Sequence, residues 1–199
     1  MITTTHIVTN ALIAWGGRPA RLLGTRSSRR AFVAGGLAPD LGLALMSAGA
    51  FAHYPLMRGR TLQDTFTLVY DDLFYTSAVW VAAHNVLHAP LVIAALYVVG
   101  RRTQRRWSPG LRAFAAGCAL HTVMDIPVHH DDGPLLLFPV QWTVRFSSPL
   151  SYWDPAHGGN VLGPIDLGVT VVGAAVLLLA RVLRRRRDRR PAPPRTRDP

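Results

Sequence analysis

Tyr75–Gly100 reads YTSAVWVAAHNVLHAPLVIAALYVVG, and its reading decides the fold class. It is apolar and long enough for one membrane-crossing helix, which needs about 20 residues to cover the hydrocarbon core. Two imidazoles, His84 and His88, lie inside it, four residues apart. On a continuous helix both would fall on one face. Ionisable side chains are expensive at bilayer depth, where they usually mark a site.

Four other apolar stretches flank this one. The first, from about Thr5 to Gly17, spans only about 20 Å as a helix. The second is Ala31–Ala52, AFVAGGLAPDLGLALMSAGAFA; its glycines and Pro39 predict a broken or kinked helix with Asp40 at the break. The fourth starts at Leu111, reads LRAFAAGCALHTVMDIPV, and is expected to end near Pro127; His121 and Asp125 form its own pair at a spacing of four. The fifth is Val161–Leu183. The expected fold is all-α: a polytopic membrane helical bundle of about five segments, with a long outer loop between segments four and five.

Charge sets the expected orientation. The chain has 199 residues, 49% hydrophobic, and a formal net charge of +11. Every base is Arg and every acid is Asp, which excludes a Lys nucleophile and a Glu base. Arginines cluster at 18–30, at 101–112 and from 181 onward, each block beside an apolar stretch, whereas 53–74 and 128–160 hold few. This pattern fits cytoplasmic flanks rather than a nucleic-acid footprint. It predicts a multi-pass membrane protein with its N-terminus outside and its C-terminus cytoplasmic. Residues 1–183 would form the membrane-embedded domain. The basic, Pro-rich stretch 184–199 would be a disordered tail near anionic lipid heads. The single cysteine, Cys118, excludes an internal disulfide. No cleavable leader is expected, because MITTTHIVTNALIAWGG lacks a basic opening.

In that topology Asp40, His84, His88, His121 and Asp125 reach a similar depth, with His6 at the outer end of the first segment. Imidazole with carboxylate suits a divalent metal, zinc foremost. His6, Asp40, His84, His88, His121, Asp125 and His129 are the candidate ligands. Water bound to such an ion ionises near neutral pH and gives hydroxide as nucleophile. Six donors in the helices exceed one mononuclear site, so either two ions bind or some donors orient the others. A spare carboxylate, Asp40 or Asp131, would serve as base. The loop HHDDGPLLLFPVQWTVRFSSPLSYWDPAHGG would act as a lid, its Arg145 clamping a phosphate or carboxylate. His53 is expected to be a packed residue.

These elements resemble the bacterial family of inner-membrane-bound, metal-dependent hydrolases. The resemblance rests on the early His6, on G-x-L-x-P-D-L at Gly35–Leu41, on the His pair of segment three, and on H-T-V-M-D at His121–Asp125. It covers most of residues 1–160. It departs where the family's T-H-S stands here as Leu87, His88, Ala89. The resemblance implies a hydrolytic activity on a lipid, an ester or a phosphoester. Two other classes compete with it. A small ion or proton-coupled transporter would use the same groups as a relay. A non-catalytic membrane scaffold would use them only to join helices, and would tolerate His-to-Asn changes.

Overall fold

The structure is a computed structural model and describes residues 1–188. Among the described residues all regular structure is helical, with no strand. Helix α1 is Thr3–Trp15, α2 is Gly17–Leu22 and α3 is Arg26–Arg58. Helix α4, Leu62–Thr67, runs through a π-helical turn at Leu68–Leu73 into α5, Phe74–Thr76. Then come α6, Ala78–Asn85, α7, Pro90–Arg102, α8, Ser108–Asp125, and α9, Gly159–Asp188. Between α8 and α9 lie two short 3-10 turns, Ile126–Val128 and Pro155–His157.

Helix α3 is the axis of the fold. It packs against α8, α1 and α6, while α7 covers α8 and α9 covers α1. Small residues allow the helices to approach closely, as they do where lipid removes the hydrophobic drive for helix association. A methyl group added at Gly117 would stand 2.2 Å from the Phe32 carbonyl oxygen, and one at Gly35 would stand 2.4 Å from that of Phe114. Gly42 gives α6 the same access, with the Ala83 oxygen 2.5 Å from the added carbon.

The interior is polar and the outside apolar. His6, Asn10, Asn85, His88, His121 and Asp125 are buried. Leu45 on α3 and Leu167, Val171, Val172 and Leu178 on α9 face outward. By length and composition α3 and α9 can each cross a membrane, and α6 with α7 make a third crossing if that pair is one span bent by 52°. That gives two or three crossings where hydropathy suggested five. Helix α1 has 13 residues.

The breaks fall elsewhere than expected. Helix α3 does not stop at Pro39; it continues for 33 residues, roughly 50 Å. Gly35 and Gly36 make the close contacts with α8 and α1. Segment three is the one that breaks. Pro90 disfavours helical backbone at the residue before it, and Ala89 is extended, with φ −71° and ψ 124°. Helix α6 therefore ends at Asn85, and α7 restarts with Pro90 in its first turn. His84 and His88 thus do not share a helix. At the far end α9 runs to Asp188, so 184–188 are helical rather than part of a disordered tail; 189–199 lie outside the described residues.

Candidate metal centre

Four residues from three places in the chain meet at one point. Asp40 comes from the middle of α3, His121 and Asp125 from the last turns of α8, and His88 from the break between α6 and α7. One donor atom from each lies within 4.8 Å of the other three. His121 Nε2 is 3.0 Å from Asp125 Oδ2 and 3.3 Å from Asp40 Oδ1. His88 Nε2 is 3.5 Å and 3.4 Å from the same two oxygens. The two Nε2 atoms are 3.1 Å apart. Donors about 2.0–2.1 Å from a tetrahedral zinc are separated by about 3.3 Å, so these distances match the edges of such a shell.

The other ring nitrogens show which atoms are free to bind. His121 Nδ1 donates to the Gly36 carbonyl at 2.9 Å, and His88 Nδ1 donates to the His84 carbonyl. A carbonyl only accepts, so each Nδ1 carries hydrogen and each neutral ring keeps its lone pair on Nε2. Two lone pairs then face one another beside two carboxylates, an arrangement that a cation between them stabilises. The Pro90 break leaves the His84 oxygen unused by the backbone, since the His88 amide turns to Asn85; the Gly36 carbonyl, inside α3, accepts from His121 in addition to its place in the helix. Such outer contacts fix ring orientation and tautomer at metal sites.

Asp125 divides its oxygens. Oδ2 faces the four-atom set; Oδ1 meets the Met1 nitrogen at 2.8 Å, His6 Nε2 at 2.9 Å and His129 Nε2 at 3.4 Å. His6 stacks on His121 with ring centroids 3.6 Å apart, and neither of its nitrogens has an aligned hydrogen bond. Asp40 Oδ2 accepts from the Thr3 hydroxyl at 2.6 Å. His129 Nδ1 lies 2.9 Å from Asp132 Oδ1, and Asp132 Oδ2 accepts from Trp153 Nε1 at 2.9 Å. Burial alone would raise the Asp132 carboxyl, but His129 beside it outweighs this and holds it below its ordinary value. Burial alone would pull His129 down, but Asp125 and Asp132 outweigh it and shift the imidazole up.

The set opens into a cavity of about 680 Å³. Leu43, Ala44 and Ser47 of α3 line it together with Phe66, Tyr70 and Phe74 from the α4–α5 stretch and Asp131, Tyr152 and Trp153 from the loop after α8. Arg145 lines a neighbouring cavity instead; only Tyr75 and Asp131 border both. The Arg145 guanidinium donates to the Gly133 carbonyl at 2.6 Å and lies 4.6 Å from the Phe74 ring centroid. It ties the loop to the continuous helical stretch α4–α5.

The structure therefore joins Asp40, His88, His121 and Asp125 and places His6 and His129 on the second oxygen of Asp125. His84 stands apart, 6% exposed, between the rings of Phe74 and His88, with no partner at either nitrogen. Cys118 packs with Ile93 and Ala115 away from the set. His53, expected to be packed, is exposed on the far end of α3. Sequence reasoning missed the residues that hold the frame. Asn10 donates to the Phe32 and Gly117 carbonyls, Asn85 accepts from the Leu135 amide, Thr122 donates to the His88 carbonyl, and Asp166 accepts from the Ile2 amide. Asn10 had one available signal, its spacing of four from His6. Comparison with models of known families, with curated proteins and with solved structures finds no match.

Proposed function

We propose that this chain is an integral membrane, metal-dependent hydrolase of a lipid ester or phosphoester, and that it belongs with the inner-membrane-bound hydrolases it resembles. The observation that carries the reading is the pair of facing Nε2 lone pairs of His88 and His121, each fixed by a carbonyl and flanked by Asp40 and Asp125. Two imidazoles and two carboxylates fit zinc. A bound ion of this kind polarises the scissile bond and brings the pKa of water to about 7.

The chain's own residues do the rest. Thr3 holds one oxygen of Asp40 and turns the other to the set. Asp40, with its side chain 22% exposed, borders the cavity and would hold the ion on the side from which water and substrate enter. Asp125 is held on its outer oxygen by the Met1 nitrogen at 2.8 Å, with His6 and His129 packed beside it, which keeps it from swinging away. The apolar wall of the cavity, Leu43, Ala44 and Phe66, receives an acyl chain. In this reading segments one and four join the spans, giving five, with the site toward the outer face and the Arg-rich C-terminus in the cytoplasm.

The test is metal content and hydrolysis measured on one detergent-purified preparation. Zinc stoichiometric with the chain, lost in His88→Ala and His121→Ala together with turnover of a lipid ester or phosphoester, supports the reading. Wild-type protein that stays metal-free after zinc loading refutes it.

A further inference from the structure

The charge of the cavity says which lipid fits. None of its lining side chains is arginine, although the chain holds 22 basic residues, all of them Arg. Its mouth is acidic and aromatic. Asp71 arrives from the π-helical turn between α4 and α5 and Asp131 from the loop after α8; both are exposed, and among the described residues neither carboxylate has a hydrogen-bond or ion-pair partner. Tyr70, Tyr75 and Trp153 line the cavity with them. Carboxylates and ring faces together select a cation: the rings attract it by their quadrupole and the carboxylates by charge. The Met1 ammonium that also lines the cavity is held by Asp125 at 2.8 Å, so an anionic headgroup at Asp71 and Asp131 would meet two carboxylates with no arginine in the lining to offset them.

A second, independent feature shows that the cavity is built for a polar ligand. His84 lines it deeper in, is 6% exposed, and has no partner at either ring nitrogen. An imidazole is costly to bury unpaired, and a ligand oxygen in the cavity satisfies it.

We propose, resting on the hydrolase reading, that the substrate is a zwitterionic phospholipid with an amine headgroup. Its ammonium sits between Asp71 and Asp131 against the aromatic rings, its phosphate reaches His84 and the four-residue set, and its acyl chain lies along Leu43 and Phe66. The step balances as a hydrolysis. Water adds its oxygen to phosphorus, one P–O ester bond breaks, and the departing alcohol oxygen takes the second hydrogen of the water.

The experiment uses the full chain, zinc-loaded, in detergent, with dihexanoyl phosphatidylethanolamine and dihexanoyl phosphatidylglycerol below their micelle concentrations. Tryptophan fluorescence reads binding, and release of water-soluble phosphate ester reads turnover. The expected result is about tenfold tighter binding of the ethanolamine lipid, the scale of a carboxylate and an aromatic contact combined. Asp71→Asn and Asp131→Asn should each narrow that ratio while zinc content stays constant. Equal affinity, tighter binding of the glycerol lipid, or an unchanged ratio in both variants overturns the headgroup assignment and leaves the hydrolase reading standing. Selective binding without turnover of either lipid overturns the hydrolase reading and keeps the headgroup site.

Discussion

Gly117→Ala should cripple the metal centre without touching a ligand. Gly117 lies on α8 one turn before His121, where α8 meets α3. The added methyl carbon would stand 2.2 Å from the Phe32 carbonyl oxygen and 3.1 Å from Asn10 Nδ2. Ordinary contact begins near 3.4 Å, so α3 and α8 must part by about 1.2 Å. Overpacking of this kind costs about 1–3 kcal/mol. The larger effect is on the site, because Asp40 rides on α3 while His121 and Asp125 ride on α8. Metal–ligand distances tolerate only about 0.2 Å of error, so the separation removes at least one ligand. Zinc affinity, measured by competition with a chromophoric chelator, should fall by about 100-fold, the upper end of what supporting contacts contribute at metal sites. Gly110→Ala is the control: it is on the same helix with nothing within 4 Å of the added carbon. It should keep wild-type affinity and gain up to about 1 kcal/mol from lower unfolded-chain entropy. If Gly117→Ala binds zinc like the wild type, the helix contact does not set the site geometry and the reasoning fails.

Other expectations can be read on the same protein. His84→Phe should retain its zinc, because His84 lies outside the four-residue set; loss of the metal would restore His84 as a ligand. Cys118→Ala should also keep zinc, with a modest loss in thermal stability from its packing against Ile93. Arg145→Ala should loosen the loop by about 1–2 kcal/mol through the lost Gly133 hydrogen bond and ring contact, seen as faster proteolysis at 129–154 with metal retained. If turnover falls while proteolysis is unchanged, Arg145 acts on the substrate instead. The lowered Asp132 carboxyl should stabilise the loop above its unfolded pKa near 3.9, a contribution lost as pH falls through the folded value. Asp132→Asn should flatten that acid limb in pH-dependent thermal unfolding.

The site was more legible in the sequence than the helix boundaries. Asp40, His121 and Asp125 were readable because an ionisable group in an apolar stretch has few bland explanations, and the spacing of His121 and Asp125 survives as one helical turn. His88 was found for a reason the structure replaces. A shared helix face with His84 suggested the pair, yet Pro90 ends the helix between them and only His88 joins the four-residue set. Periodicity sees spacing but not the backbone preference of the residue before a proline. Likewise the glycines around Pro39 read as breakers, because a single chain does not show which neighbour approaches them; Phe114 and Asn10 do. Asn10, Asn85 and Thr122 escaped notice because uncharged polar residues in apolar segments are common. Their value lies in backbone groups far away in sequence: carbonyls for Asn10 and Thr122, and the Leu135 amide for Asn85.

Zinc-edge X-ray absorption on the purified, zinc-loaded full chain tests the central claim most directly. The account predicts a shell of nitrogen and oxygen at about 2.0–2.1 Å, outer scattering from imidazole, and no sulfur at about 2.3 Å. In His121→Ala that signal should vanish. A chain that retains no zinc, or a shell containing the Cys118 sulfur, would contradict it.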